Sequence, residues 1–114
     1  MKTIFVVSDT AKSPDLEPEA ILSGYRVFAS DDGHHFAGFN QVTERFRVST
    51  SIVKWDPDTM IGITRSGRRY RLGGPPDDSG SAEAAWLAWS TNNGISEFTD
   101  VTGEYSRAAR PRLN

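Results

Sequence analysis

The chain has 114 residues, net charge −2, and three Trp, three Tyr and six Phe but no cysteine. That length supports one modest hydrophobic core, not two. The lack of cysteine excludes a disulfide framework, a thiolate nucleophile and any cysteine-based zinc site. The longest apolar run, Ile4 to Val7, is too short to cross a bilayer or to act as a signal-peptide core. The expectation is a single cytoplasmic domain over residues 1–114, without membrane contact and without a cofactor, its tail fraying from about residue 106.

Charge is segregated along the chain. Residues 1–44 carry a net −4, residues 45–74 a net +5, residues 75–106 a net −6, and the tail a net +3. Such blocks either steer a charged partner or neutralise one another when the segments pack. For the basic block the second option would pair it with the acidic segment 75–106.

In chain order, Thr3–Ser8 is β-branched and aromatic and reads as a first strand. Glu17-Pro18-Glu19 places proline and acids at the start of a short helix through Leu22, stopped by Gly24. Tyr25–Ser30 alternates and meets the turn signal Asp32-Gly33, so Phe36–Phe39 should return antiparallel. Tyr25 and Val27 then share one face and Phe28 points to the other.

Between residues 45 and 73 the pattern predicts a three-stranded meander. Phe46, Val48, Thr50 and Ile52 alternate with Arg45, Arg47, Ser49 and Ser51, which predicts one buried and one wet face. Asp56-Pro57-Asp58 turns the chain, Met60–Arg65 returns, and Ser66-Gly67 turns it again. Arg68–Leu72 closes the meander, with Tyr70 and Leu72 on one face and Arg69 and Arg71 on the other. Gly73-Gly74-Pro75-Pro76 ends the sheet.

A helix over about 80–92 follows, with N-cap candidates in Asp78–Ser81 and Glu83 in its first turn. Ala82, Ala85, Trp86 and Trp89 fall on one face, and Asn93-Gly94 is the stop. Ile95–Val101 supplies one more short strand. The fold class is therefore α+β, an antiparallel sheet built from hairpins and packed by a helix in the C-terminal half.

Catalytic signals are weak. His34-His35 would project to opposite faces of a strand and so fit a polar hairpin tip better than a metal site. Ser30-Asp31-Asp32-Gly33-His34-His35-Phe36 resembles the Asp-box of sialidase-like propellers but is one residue short and occurs once. Neither a Gly-x-Ser-x-Gly elbow nor a Gly-x-x-x-x-Gly-Lys-Ser/Thr loop is present. The strongest candidate is the hairpin bearing Arg65, Arg68, Arg69 and Arg71. Its guanidinium groups fit carboxylates or phosphates, with Tyr70 or Trp55 for stacking or anchoring. Trp86 and Trp89 read as core.

Val48 to Pro75 also resembles a pattern of small bacterial phage, plasmid and genomic-island proteins. It is carried by Thr50-Ser51-x-Val53, then Thr64-Arg65-Ser66-Gly67-Arg68-x-Tyr70-x-Leu72-Gly73-Gly74-Pro75, and then the Trp-bearing helix. The resemblance implies a small accessory protein that binds a bacterial host protein or nucleoprotein complex, as inhibitors of CRISPR defence do. The leading expectation is a non-enzymatic protein-binding module of this inhibitor kind. The alternatives are a nucleic-acid-binding protein using the Arg65–Arg71 hairpin and, more weakly, a hydrolase or carbohydrate-binding domain. A mildly acidic pI of about 5.6 sits better with the first than with a nucleic-acid binder.

Overall fold

The computed structural model describes residues 19–106. The strand expected at Thr3–Ser8 and the tail beyond Ser106 lie outside the described residues. In chain order the elements are β1 (Glu19–Ser30), β2 (Gly33–Asn40), β3 (Arg45–Val48), β4 (Ile52–Asp56), β5 (Ile61–Thr64), β6 (Arg69–Gly73), α1 (Ser81–Asn92) and β7 (Thr99–Asp100), then a single 3-10 turn at Thr102–Glu104. The class is α+β, mostly sheet with one helix. No helix of the described residues is long and apolar enough to cross a membrane.

The strands form one open, mixed sheet in the order β3-β2-β1-β6-β5-β4, with β7 paired to the far end of β1. Neighbours are antiparallel except β1 and β6, which run parallel with Leu22 opposite Leu72. This corrects the expectation of a purely antiparallel sheet. The pairings make β3 and β4 run in the same sense, so the two act as one bent strand. Five alternating strands then bring the last into the direction of the first, and their contact has to be parallel.

The bend also sets the curvature. Among the described residues β3 and β4 are the two ends of the sheet, yet only Ser49, Thr50 and Ser51 lie between them. Four peptide steps reach at most about 14 Å, so the sheet must curl until its ends approach. Ser49 fastens the crossing: its Oγ accepts the Phe36 N–H at 3.0 Å and its hydroxyl donates to the Thr50 carbonyl. The Arg65 N–H donates to the Ser51 carbonyl at 2.8 Å. The expected meander is thus β4–β5–β6, while Arg45–Val48 turns away to pair with β2. The expected wet face of residues 45–52 is corrected too. Arg47, Ser49 and Ser51 are buried by the bend and Thr50 is exposed.

The helix expected to reach Leu22 is instead the start of β1. A bulge at Gly24, φ +54°, shifts the alternation by one residue. Ala20 and Leu22 point inward before it, Tyr25 and Val27 after it, and all four join one cluster. That cluster fills the concave face of the sheet with Phe36, Met60, Tyr70 and Leu72. Gly62 exists to admit Phe36, since a Cβ at residue 62 would lie 2.4 Å from the ring tip.

A second cluster lies on the opposite, convex face, where α1 covers β1, β2 and β3. Trp86 is fully buried and stacks on Phe28 with centroids 5.0 Å apart, and Phe98 meets both edge-on. Ala82, Ala85 and Trp86 are the buried face of α1, and Trp89 is partly buried. Asp77 caps the helix from outside it, accepting the N–H groups of Ser79, Gly80 and Ala82 and the Ser79 hydroxyl. Asn93 and Gly94, φ +71°, end it as expected.

Candidate interaction face

Directly paired residues share a face of a sheet, so the registers sort the meander's side chains without ambiguity. One row runs Trp55, Gly62, Tyr70, Ala20 and points into the concave core. The rows on either side of it point out. They are Lys54, Ile63, Arg69, Glu19 and Asp56, Ile61, Arg71, Ile21. The outer face of β4–β5–β6 is therefore a chequerboard of isoleucines and charges. Among the described residues no helix packs on it, in contrast to the half under α1.

Lys54, Trp55, Asp56, Thr59, Ile61, Ile63 and Arg69 line a shallow cleft of about 420 Å³ on this face. Ile61 and Ile63 are half-buried and form its floor. Arg71 pairs with Glu19 at 2.8 Å. Both partners are at least a third exposed, so the pair contributes under about 1 kcal/mol. Among the described residues no carboxylate lies within ion-pair distance of Lys54, Arg65 or Arg69.

The structure divides the residues expected to bind a partner. Arg65, Arg69 and Arg71 are exposed. Arg68 is buried at 5% exposure and Tyr70 at 2%, within the core, because each lies on the inward side of the turn or strand. Trp55 is also turned inward, its ring centroid 5.9 Å from Phe36 and 5.1 Å from Tyr105, so it is not a free anchor. Tyr70 is thus unavailable for stacking on a base, while Trp55 is only partly buried and also borders the cleft. Lys54, Ile61 and Ile63, which the sequence reading did not single out, complete the face. Their signal was the alternation around Gly62, with Met60 and Thr64 on the buried side.

The acidic segment 75–106 does not cover this face through the pairs it forms. Asp100 binds Arg26 at 3.0 Å, and Asp77 is engaged at the start of α1. Burial pushes the carboxyl of Asp77 up. The hydrogen bonds from Ser79, Ala82 and Gly80 outweigh it and hold the group below its ordinary value. Asp100 follows the same logic. Burial raises it, and the Thr102 hydroxyl and N–H together with Arg26 bring it below its ordinary value.

The histidine pair does project to opposite faces, but it is not a solvated hairpin tip. His35 is 1% exposed, with ring centroids 5.6 Å from Trp86 and 5.1 Å from Trp89. Its Nδ1–H donates to the Ser49 carbonyl at 2.8 Å, and its Nε2 lies 3.2 Å from the Asp32 carboxylate. Neither nitrogen faces a serine hydroxyl. His34 Nδ1 lies 2.7 Å from the Tyr105 hydroxyl on the concave side. Burial, then the nearby Glu104 carboxylate, raises the pKa of that hydroxyl.

No protein-family model, curated protein or solved structure matches the chain.

Proposed function

We propose that the protein is a non-enzymatic binding module that captures a protein partner through the outer face of β4–β5–β6. The observation that carries this reading is the asymmetry of the convex surface. One half is sealed by α1, while the other presents half-buried isoleucines beside Lys54 and Arg69, neither of which has an ion-pair partner among the described residues. An apolar centre with a charged rim is the anatomy of a protein interface. The resemblance of Val48 to Pro75 to mobile-element proteins adds the expectation of a bacterial host complex as the target, and of an inhibitory role like that of anti-CRISPR proteins.

A second reading, nucleic-acid binding, draws on the exposed Lys54, Arg65, Arg69 and Arg71, which suit phosphate contacts. It is weakened by the burial of Tyr70 and the inward packing of Trp55 against Phe36 and Tyr105, which leave little aromatic surface for stacking. Affinity purification from bacterial lysate, with and without nuclease, separates the two. A discrete protein complex that survives nuclease supports the protein-binding module. Loss of all captured material on nuclease treatment transfers the face to nucleic acid.

A further inference from the structure

We infer that the segment recognised by this face is an acidic stretch of protein carrying an apolar residue. Its apolar side chain would sit on Ile61 and Ile63, and a neighbouring carboxylate would reach Lys54 and Arg69. This deepens the binding-module reading and rests on it.

The argument is one of complementarity within a single cleft. Ile63 lies between Lys54 on β4 and Arg69 on β6, its direct partners across the sheet. Adjacent strands are about 4.8 Å apart, so the two cations flank one isoleucine at a distance a single acidic residue can bridge. Both cations and both isoleucines line the same cleft. The other end of the cleft carries Asp56, opposite Ile61. Polarity therefore runs along β5, favouring a carboxylate at the Ile63 end and an apolar group toward the Ile61 end. Arg65, at the β5–β6 turn, extends the positive charge beyond Ile63.

The apolar floor decides against a phosphodiester backbone. A phosphate seated over Ile61 and Ile63 would lose its hydration without gaining a donor there, and an unpaired buried charge is costly. A leucine or similar residue gains by the same contact, and its flanking carboxylates gain charge-assisted hydrogen bonds from Lys54 and Arg69.

The test uses the full chain and three labelled probes in fluorescence anisotropy. They are a 12-residue peptide of Glu-Leu-Glu-Ser repeats, its Lys-Leu-Lys-Ser counterpart and a 12-base-pair DNA duplex. The Glu peptide should bind, weaken as salt is raised, and bind at least tenfold more weakly to Arg69→Glu and to Ile63→Ser. The Lys peptide should not bind. Near-UV circular dichroism of the tryptophan cores confirms that each variant is folded. Three results would overturn the inference: equal binding of both peptides, Glu-peptide binding unchanged by Arg69→Glu, or binding of the duplex alone. Concentration-dependent self-association that Arg69→Glu abolishes would overturn it as well, by assigning the face to a second copy of the chain. If lysate capture succeeds through this face while the Glu peptide fails, the binding module stands and only the partner's chemistry is wrong. If both fail, the reading itself falls.

Discussion

The two halves of the convex surface are built from similar strands and solve the same problem differently. Over β1–β3 the outward side chains are Phe28, His35, Ala37 and Val48, and α1 lays Trp86 and Trp89 across them. Over β4–β6 the outward side chains are Lys54, Asp56, Ile61, Ile63, Arg69 and Arg71, with no helix on them among the described residues. A large aromatic surface left open would collapse or aggregate. Two half-buried isoleucines set among Lys54, Asp56, Arg69 and Arg71 do not form such a patch. The edge of the bare half is blunted as well. β4 carries a bulge at Val53 beside Lys54, features that discourage uncontrolled strand pairing. On the proposed reading, the covered half supplies stability and the bare half recognition.

Four substitutions sharpen or break this division. Trp86→Ala removes the centre of the covered half and should cost about 3–5 kcal/mol, measured by urea unfolding. Gly62→Ala lies in the bare half but points inward at Phe36, and should cost about 1–3 kcal/mol by overpacking. Asp77→Ala uncaps α1 and should cost about 1 kcal/mol. Ile63→Ser, outward in the bare half, should cost about 1 kcal/mol or less, because the side chain is only half-buried. A larger cost for Ile63→Ser than for Gly62→Ala would mean that the bare face is structural.

The capping claim has a pH signature. Asp77 and Asp100 both have folded values below their ordinary ones. The stability they contribute is therefore present above the ordinary carboxylate range and lost as pH falls through the lower folded values. Melting temperature should drop on acidification below about pH 4, and Asp77→Asn should flatten that drop. An unchanged acid profile in the variant would remove Asp77 from the account.

Much of this was legible in the sequence, and the losses have identifiable causes. The Tyr25–Phe39 hairpin, the β4–β6 turns and α1 follow from alternation, turn residues and the spacing of Ala82, Ala85 and Trp86. The N-terminal half of β1 was hidden because the bulge at Gly24 switches inward residues from even to odd numbers, breaking the period. The division of β3 from β4 was hidden for the opposite reason. Alternation runs unbroken through residues 45–52, and a bend that buries Ser49 and Ser51 leaves no apolar mark. At the site, the outward direction of Arg69 and Arg71 follows from Tyr70 and Leu72 facing in. The same parity removes Tyr70 and Arg68 from the contact surface. The joining of Lys54 to Ile63 and Arg69 is a matter of register across a bulge, which no single segment encodes.

The most direct test compares two matched surface variants in nuclease-treated lysate capture. Lys54→Glu with Arg69→Glu inverts the bare face, and Glu83→Lys with Leu87→Ser alters the exposed side of α1. Loss of the captured complex in the first variant alone, with both still folded, is the predicted result. Retention in the first, or equal loss in both, would contradict the assignment of recognition to β4–β6.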